Sequence, residues 1–120
     1  MKLTPSQEDY LEAVLVLQLR RGCVYPVDVA RFMGCSKPSV SNAIKVLGRK
    51  GCLIKKLDGT LMLTSAGRQC AEQIYERHRF FTARLIAAGV APETAEHDAC
   101  SIEHVISEEA FRALKCARKP

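Results

Sequence analysis

The chain lacks most of the features that would assign it to an extracellular, membrane or catalytic class. No apolar run among its 120 residues approaches the ~20 residues needed to span a bilayer. The N-terminus MKLTPSQEDY has no apolar stretch of the kind that forms a signal peptide. Six cysteines (Cys23, Cys35, Cys52, Cys70, Cys100, Cys116) contain no C-x-x-C pair, which excludes a zinc ribbon and argues against a disulfide framework in a reducing compartment. Most of these thiols are expected to be small buried hydrophobes. Internal repeats, low-complexity tracts and nucleophile motifs are also missing. The expectation is a cytoplasmic protein that is not an enzyme, with no membrane partner and no small organic substrate.

Acidic charge is scarce where it would balance the basic residues. Residues 1–64 hold ten Lys/Arg against five Asp/Glu, whereas residues 65–120 hold eight of each. The whole net charge of +5 therefore lies in the first half. A basic half beside a neutral one suits an anionic partner, nucleic acid first among them, although a solvated basic face would look the same.

The order of local signals gives that half a shape. In TPSQEDYLEAV, Thr4 suits an N-cap, Pro5 the first helical position and Gln7 the reciprocal capping-box partner; the helix runs to Gly22. VDVARFMGCSKPSVSNAIKVLGRKG reads as two helices joined at Gly34–Cys35, with Ser36 capping the second and Pro38 in its first turn. Val29, Met33, Cys35, Val40 and Ala43 fill its apolar positions. CLIKKLDGTLMLT then predicts a hairpin with a two-residue turn at Asp58–Gly59. Helix, helix-turn-helix and hairpin make a winged helix. On it Ser36, Lys37, Ser39, Ser41, Asn42 and Lys45 face DNA from the recognition helix, and Lys55 and Lys56 from the wing. Asn42 can pair with adenine, Lys37 and Lys45 with phosphate or guanine, Ser39 and Ser41 with phosphates or base edges, and Lys55 and Lys56 with backbone or minor groove.

After residue 64 the pattern is helical. Thr64 caps a long helix with Cys70, Ile74, His78, Phe81 and Leu85 on one stripe. Pro92 opens a further helix to Ile106, and Ser107 caps a last one to Cys116, beyond which CARKP is expected to fray. Within DACSIEHVIS, Cys100, Glu103 and His104 share a face at i, i+3 and i+4. Ala95, Ala99, Ile102 and Ile106 form the buried stripe beside it, leaving Glu96, Cys100, Glu103, His104 and Ser107 as an edge between core and solvent. His78 alone could be a satisfied core histidine, Cys100 inert packing, and Asp9 and Glu12 a charge complement to a helix N-terminus. Gathered together they would repel: two like charges about 4 Å apart cost on the order of 4 kcal/mol at an effective dielectric near 20. A divalent cation removes that penalty.

TPSQEDYLEAV, KPSVSNAIKVL, LTSAGR, ERHR and DACSIEHVIS occur in the order found in the diphtheria toxin repressor and manganese transport regulator family, which the chain resembles over residues 3–115. The resemblance implies a mainly α protein: an N-terminal winged helix-turn-helix (1–64) followed by a helical metal-binding and dimerisation domain (65–120). It implies a homodimer that binds a double-stranded DNA operator, represses metal-homeostasis genes and takes Mn(II) or Fe(II) as corepressor, with zinc or cobalt accepted in vitro. Asp9, Glu103 and His104 fall on ligand positions of the manganese-responsive branch, Cys100 on a position that is usually Glu there and Cys in the iron branch, and Glu12 and His78 on positions that contribute to a second metal in a two-metal cluster. Asp9 is the manganese-type residue, whereas Cys100 is the iron-type one. Glu96 and Thr82 stand where the iron branch has its ancillary His and Glu, with Glu96, or less directly His97, a further candidate ligand. The SH3-like domain of longer members has no counterpart, so a minimal dimerisation region is expected. The alternative reading is a winged-helix regulator indifferent to metal that senses oxidants through Cys100.

Overall fold

A computed structural model of the chain describes residues 2–117. The fold divides into two compact units between Gln73 and Ile74. In the first, α1 (Pro5–Arg21) starts as its sequence requires: Thr4 Oγ1 accepts the Gln7 N–H at 3.2 Å and Gln7 Oε1 accepts the Thr4 N–H at 3.0 Å. Leu11 and the run Ala13 to Leu17 are all buried. Only this middle stretch of α1 is apolar on every face, and it sits inside its unit while the polar ends reach solvent.

α2 (Pro26–Met33) and α3 (Lys37–Arg49) form the helix-turn-helix. Gly34 makes the turn in the left-handed region at φ +67°, which a side chain would resist. Val29 and Val40 are buried to 1% exposure and pack the two helices. Asp28, unremarked in the sequence, is buried where its carboxylate accepts the Tyr25 N–H (2.8 Å) and an Arg21 N–H (3.1 Å).

The wing pairs β1 (Leu53–Lys55) with β2 (Leu61–Leu63) antiparallel, Leu53 opposite Leu63. Its loop corrects the sequence expectation. The turn is not a two-residue one: the Lys56 N–H donates to Thr60 O (2.8 Å) and the Gly59 N–H to Lys56 O (2.9 Å), enclosing three residues. Gly59 has φ +91°, and among the described residues none but glycine has positive φ. A two-residue type I′ turn would require positive φ at Asp58 too, so the chain takes the three-residue loop with glycine last. Asp58 Oδ1 accepts both the N–H and the hydroxyl of Thr60.

α4 (Ser65–Ala87) is capped by Thr64, whose Oγ1 accepts the Gly67 N–H at 3.0 Å. Gly67 admits no side chain, since a Cβ there would lie 1.9 Å from Cys52 O. Cys52 is buried, and burial pushes its thiol pKa up, so it packs as a neutral group. It is the one buried thiol among the described residues; Cys23 and Cys116 are exposed and the other three half-buried. The expectation of mostly buried thiols therefore fails: Cys23 follows the end of α1 and Cys116 ends α6, and both are exposed there.

In the second unit, the later turns of α4 are followed by α5 (Pro92–Val105) and α6 (Glu108–Cys116). Ser107 caps α6 by accepting the Ala110 N–H at 3.0 Å. Phe81, Ala99 and Phe111 make a core against which Phe80, Ile102 and Ile106 pack. Most of the CARKP segment lies outside the described residues.

Candidate metal centre and nucleic-acid interface

α5 presents its candidate ligands because the small residues Ala95 and Ala99, both fully buried, let it pack closely. One helical turn beyond Ala99 the buried position is Glu103, with 0% exposure. This corrects the placement of Glu103 on an edge between core and solvent: Ile102 and Ile106 are only partly buried, and the carboxylate occupies the deepest position of that turn. Its Oε1 lies 2.8 Å from His78 Nδ1 on α4. Its Oε2 lies 3.4 Å from His104 Nε2 and accepts no hydrogen bond among the described residues.

Around this carboxylate the donors converge. Ligand atoms of Cys100, Glu103 and His104 lie within 4.8 Å of one another, and the His104 side chain is only 7% exposed. His78 is 21% exposed, its Nε2 3.9 Å from Glu96 Oε1, while the Glu96 side chain is two-thirds exposed. His97 points away: its side chain is 83% exposed beside Asp98. Thr82 is half-buried with a hydroxyl that has no hydrogen-bond partner among the described residues. Asp9 and Glu12 belong to the first unit, where both are half-buried on α1.

The donor set fits a divalent transition metal. A wholly buried carboxylate with one oxygen unserved is costly unless a cation meets it. Cys100, Glu103 and His104 supply such a cation with a thiol, a carboxylate and an imidazole of mixed softness, and His78 on α4 meets the same carboxylate from the other side.

On the basic unit, Ser36, Lys37, Ser39, Ser41, Asn42 and Lys45 are all exposed on α3 or at its cap. Lys37, Ser41 and Lys45 recur every fourth residue, so they share one face. Arg49, exposed one turn further, extends that face and was legible from the same spacing. Ser36 also holds the start of α3, where its hydroxyl oxygen accepts the Ser39 N–H and lies 2.9 Å from Ser39 Oγ. Lys55 and Lys56 are exposed at the wing.

Sequence reasoning also missed Arg77. Its side chain is 13% exposed, donating from Nη1 to Ile106 O (2.9 Å) and Glu103 O (3.4 Å), and from Nη2 to Glu108 (2.8 Å). Nothing in its local spacing marks acceptors that far along the chain.

A basic winged helix-turn-helix followed by a helical unit with buried metal donors defines a metal-responsive DNA-binding regulator. Two family models divide the chain accordingly. Residues 2–61 match the iron-dependent repressor N-terminal DNA-binding domain, and residues 64–117 match the iron-dependent repressor metal-binding and dimerisation domain. The chain belongs to this family, that of the diphtheria toxin repressor and the manganese regulator MntR, which are metal-dependent transcriptional repressors with a mainly helical fold.

Similar proteins include the transcriptional regulator MntR of Escherichia coli O6:H1, 33% identical over 108 residues (90% of this chain, 70% of the relative). MntR of Geobacillus thermodenitrificans is 30% identical over 108 residues (90% and 77%). The solved structure of the manganese regulator SloR superposes with TM-score 0.82 at 27% identity, covering 98% of this chain and 56% of that one. The chain thus spans little more than half the length of that solved relative. Among the described residues no helix is long and apolar enough to cross a membrane.

Proposed function

We propose that the chain is a cytoplasmic, homodimeric repressor of metal-homeostasis genes, with residues 1–64 binding an operator and residues 65–120 holding the corepressor metal and the dimer contact. It is a regulator rather than an enzyme, in line with its curated relatives, which are transcriptional regulators. The observation that carries the reading is Glu103, buried with one oxygen unserved beside His104 and Cys100.

Cys100, Glu103 and His104 would hold one metal from the second unit with Asp9 of α1 completing its ligand set, while His78 and Glu12 would join Glu103 at a second ion. The bound ion supplies positive charge that relieves repulsion among the carboxylates and thiolate and joins ligands from both units. The chain's own part is to divide those ligands between a DNA-binding and a dimerisation unit. A ligand that prefers one arrangement of the two shifts the population toward it. In a homodimer that arrangement sets the two α3 helices at half-sites about 34 Å apart, one turn of DNA. Asp9 and Glu103 suit manganese(II), while Cys100 adds affinity for iron(II), zinc and cobalt; the physiological corepressor is manganese(II) or iron(II). The family match leaves oxidant sensing through Cys100 without support.

The test is an anaerobic fluorescence-anisotropy titration on the DNA upstream of the protein's own gene, with buffered manganese(II), iron(II) or zinc(II), for wild type and Asp9→Ala. Metal should tighten DNA binding in the wild type, and D9A should lose most of that gain while keeping its helical signal. Tight binding indifferent to both metal and chelator would overturn the proposal.

A further inference from the structure

Resting on the metal-binding reading of Glu103 and His104, we propose that Arg77 is a positioning residue for the centre: it fixes the last turn of α5 from behind, so that these two ligands face Cys100 before any ion arrives. Consecutive residues of α4 grip the two ends of Glu103. His78 meets its carboxylate at 2.8 Å, and Arg77 reaches its main-chain carbonyl at 3.4 Å.

The chemistry of a helix end explains why an arginine is there. The last carbonyls of α5 have no partner within the helix. The Ile106 N–H serves Ile102 O, whereas Glu103 O and Ile106 O turn to the guanidinium. A cation at that end also opposes the negative pole of the helix. The same guanidinium donates to Glu108 at the start of α6 and lies 5.3 Å from the centre of the Phe111 ring, which belongs to the core. One planar fork thus links α4, the end of α5, the start of α6 and the core. Lysine carries the charge but cannot present two nitrogens in a fixed plane.

Partners that orient metal ligands from outside typically change affinity by about 10–100-fold when removed. The comparison uses the full chain as wild type, R77K, R77Q and E108Q. It measures manganese(II) affinity by competition with an indicator, the cobalt(II) absorption spectrum, and thermal melting with and without metal. R77K should keep its helical signal yet bind manganese about tenfold more weakly, with a changed cobalt spectrum. R77Q, shorter and uncharged, should weaken manganese binding at least as much. E108Q removes the exposed arm of the fork, so it should lower the melting temperature and leave metal affinity within about twofold, outside the range expected for a lost orienting partner.

Variants that melt earlier but bind metal as the wild type does would overturn the inference and make Arg77 a stabilising residue only. Loss of folding in both R77K and R77Q would overturn it in the same way. A wild type that binds neither metal would instead remove the reading on which the inference rests, and the inference with it.

Discussion

Nδ1 of His78 stands 2.8 Å from Oε1 of Glu103, though the two residues are 25 positions apart and Glu103 has no exposed surface. An acid buried this completely normally has both oxygens served. Here the imidazole serves one, and the other accepts no hydrogen bond among the described residues. The arrangement stores an electrostatic cost that a cation would relieve, so the metal-free and metal-loaded proteins should differ in stability.

Glu103→Gln tests this by removing the charge while keeping the shape. In chelator, E103Q should melt at or above the wild-type temperature, because replacing a buried charge can be neutral or stabilising. At free manganese(II) about 100 times its dissociation constant, the wild type should gain about 2.7 kcal/mol and E103Q almost nothing. Thermal melts in both buffers measure the difference. A full metal-induced shift in E103Q would mean that Glu103 is not a ligand.

In the proposed function Cys100 is the ligand that pulls selectivity away from manganese(II). A thiolate favours zinc and cobalt over manganese(II), and exchanging it for a carboxylate should reverse part of that preference. In Cys100→Glu the ratio of zinc to manganese affinity should fall by at least tenfold, about 1.4 kcal/mol, as read by metal competition under anaerobic conditions. An unchanged ratio would place Cys100 outside the coordination sphere.

How far these features were legible in the sequence depended on whether their causes are local. The α1 capping box and the α3 cap depend on residues three apart, and Thr4, Gln7, Ser36 and Ser39 make the expected bonds. The converging donors of α5 follow from helical spacing alone. The wing loop was misjudged because Asp-Gly also suits a longer loop, and the choice depends on the φ of Asp58. Burial of Glu103 was hidden because periodicity reads a charged residue as surface; the depth comes from Ala95 and Ala99, which bring the helix close. Arg77 was invisible because its acceptors, up to 31 residues further on, are largely main-chain carbonyls without sequence identity.

The recognition face separates two kinds of contact. Lys45→Ala and Arg49→Ala should each weaken binding to operator and unrelated DNA alike and reduce the salt dependence of the binding constant by about 0.9 per lost phosphate contact. Asn42→Ala should leave that slope unchanged and cost about 1–3 kcal/mol of discrimination at one base pair. Anisotropy titrations at several salt concentrations, on operator and mutated operator, distinguish them. A salt slope that falls with N42A and not with K45A would reverse the assignment.

Acid should act on the second unit through Glu108. Hydrogen bonds from Arg77 first, then from Arg112, hold its carboxyl below its ordinary value of 4.5. The sign follows from linkage: a carboxyl whose pKa is lower in the folded than in the unfolded chain contributes stability above the unfolded value, and that contribution fades as pH falls through the folded value. Glu108→Gln should therefore be less stable than the wild type at about pH 7, with the gap closing as pH is lowered toward about pH 3. Both carboxylate oxygens of the exposed Glu108 are bonded to arginines, one of them, Arg112, exposed as well, so raising the salt concentration should narrow the gap at neutral pH as well. Urea unfolding of both proteins across that pH range measures it. A stability difference that stays constant with pH would show that the arginines do not favour the ionised form of Glu108 in the folded protein.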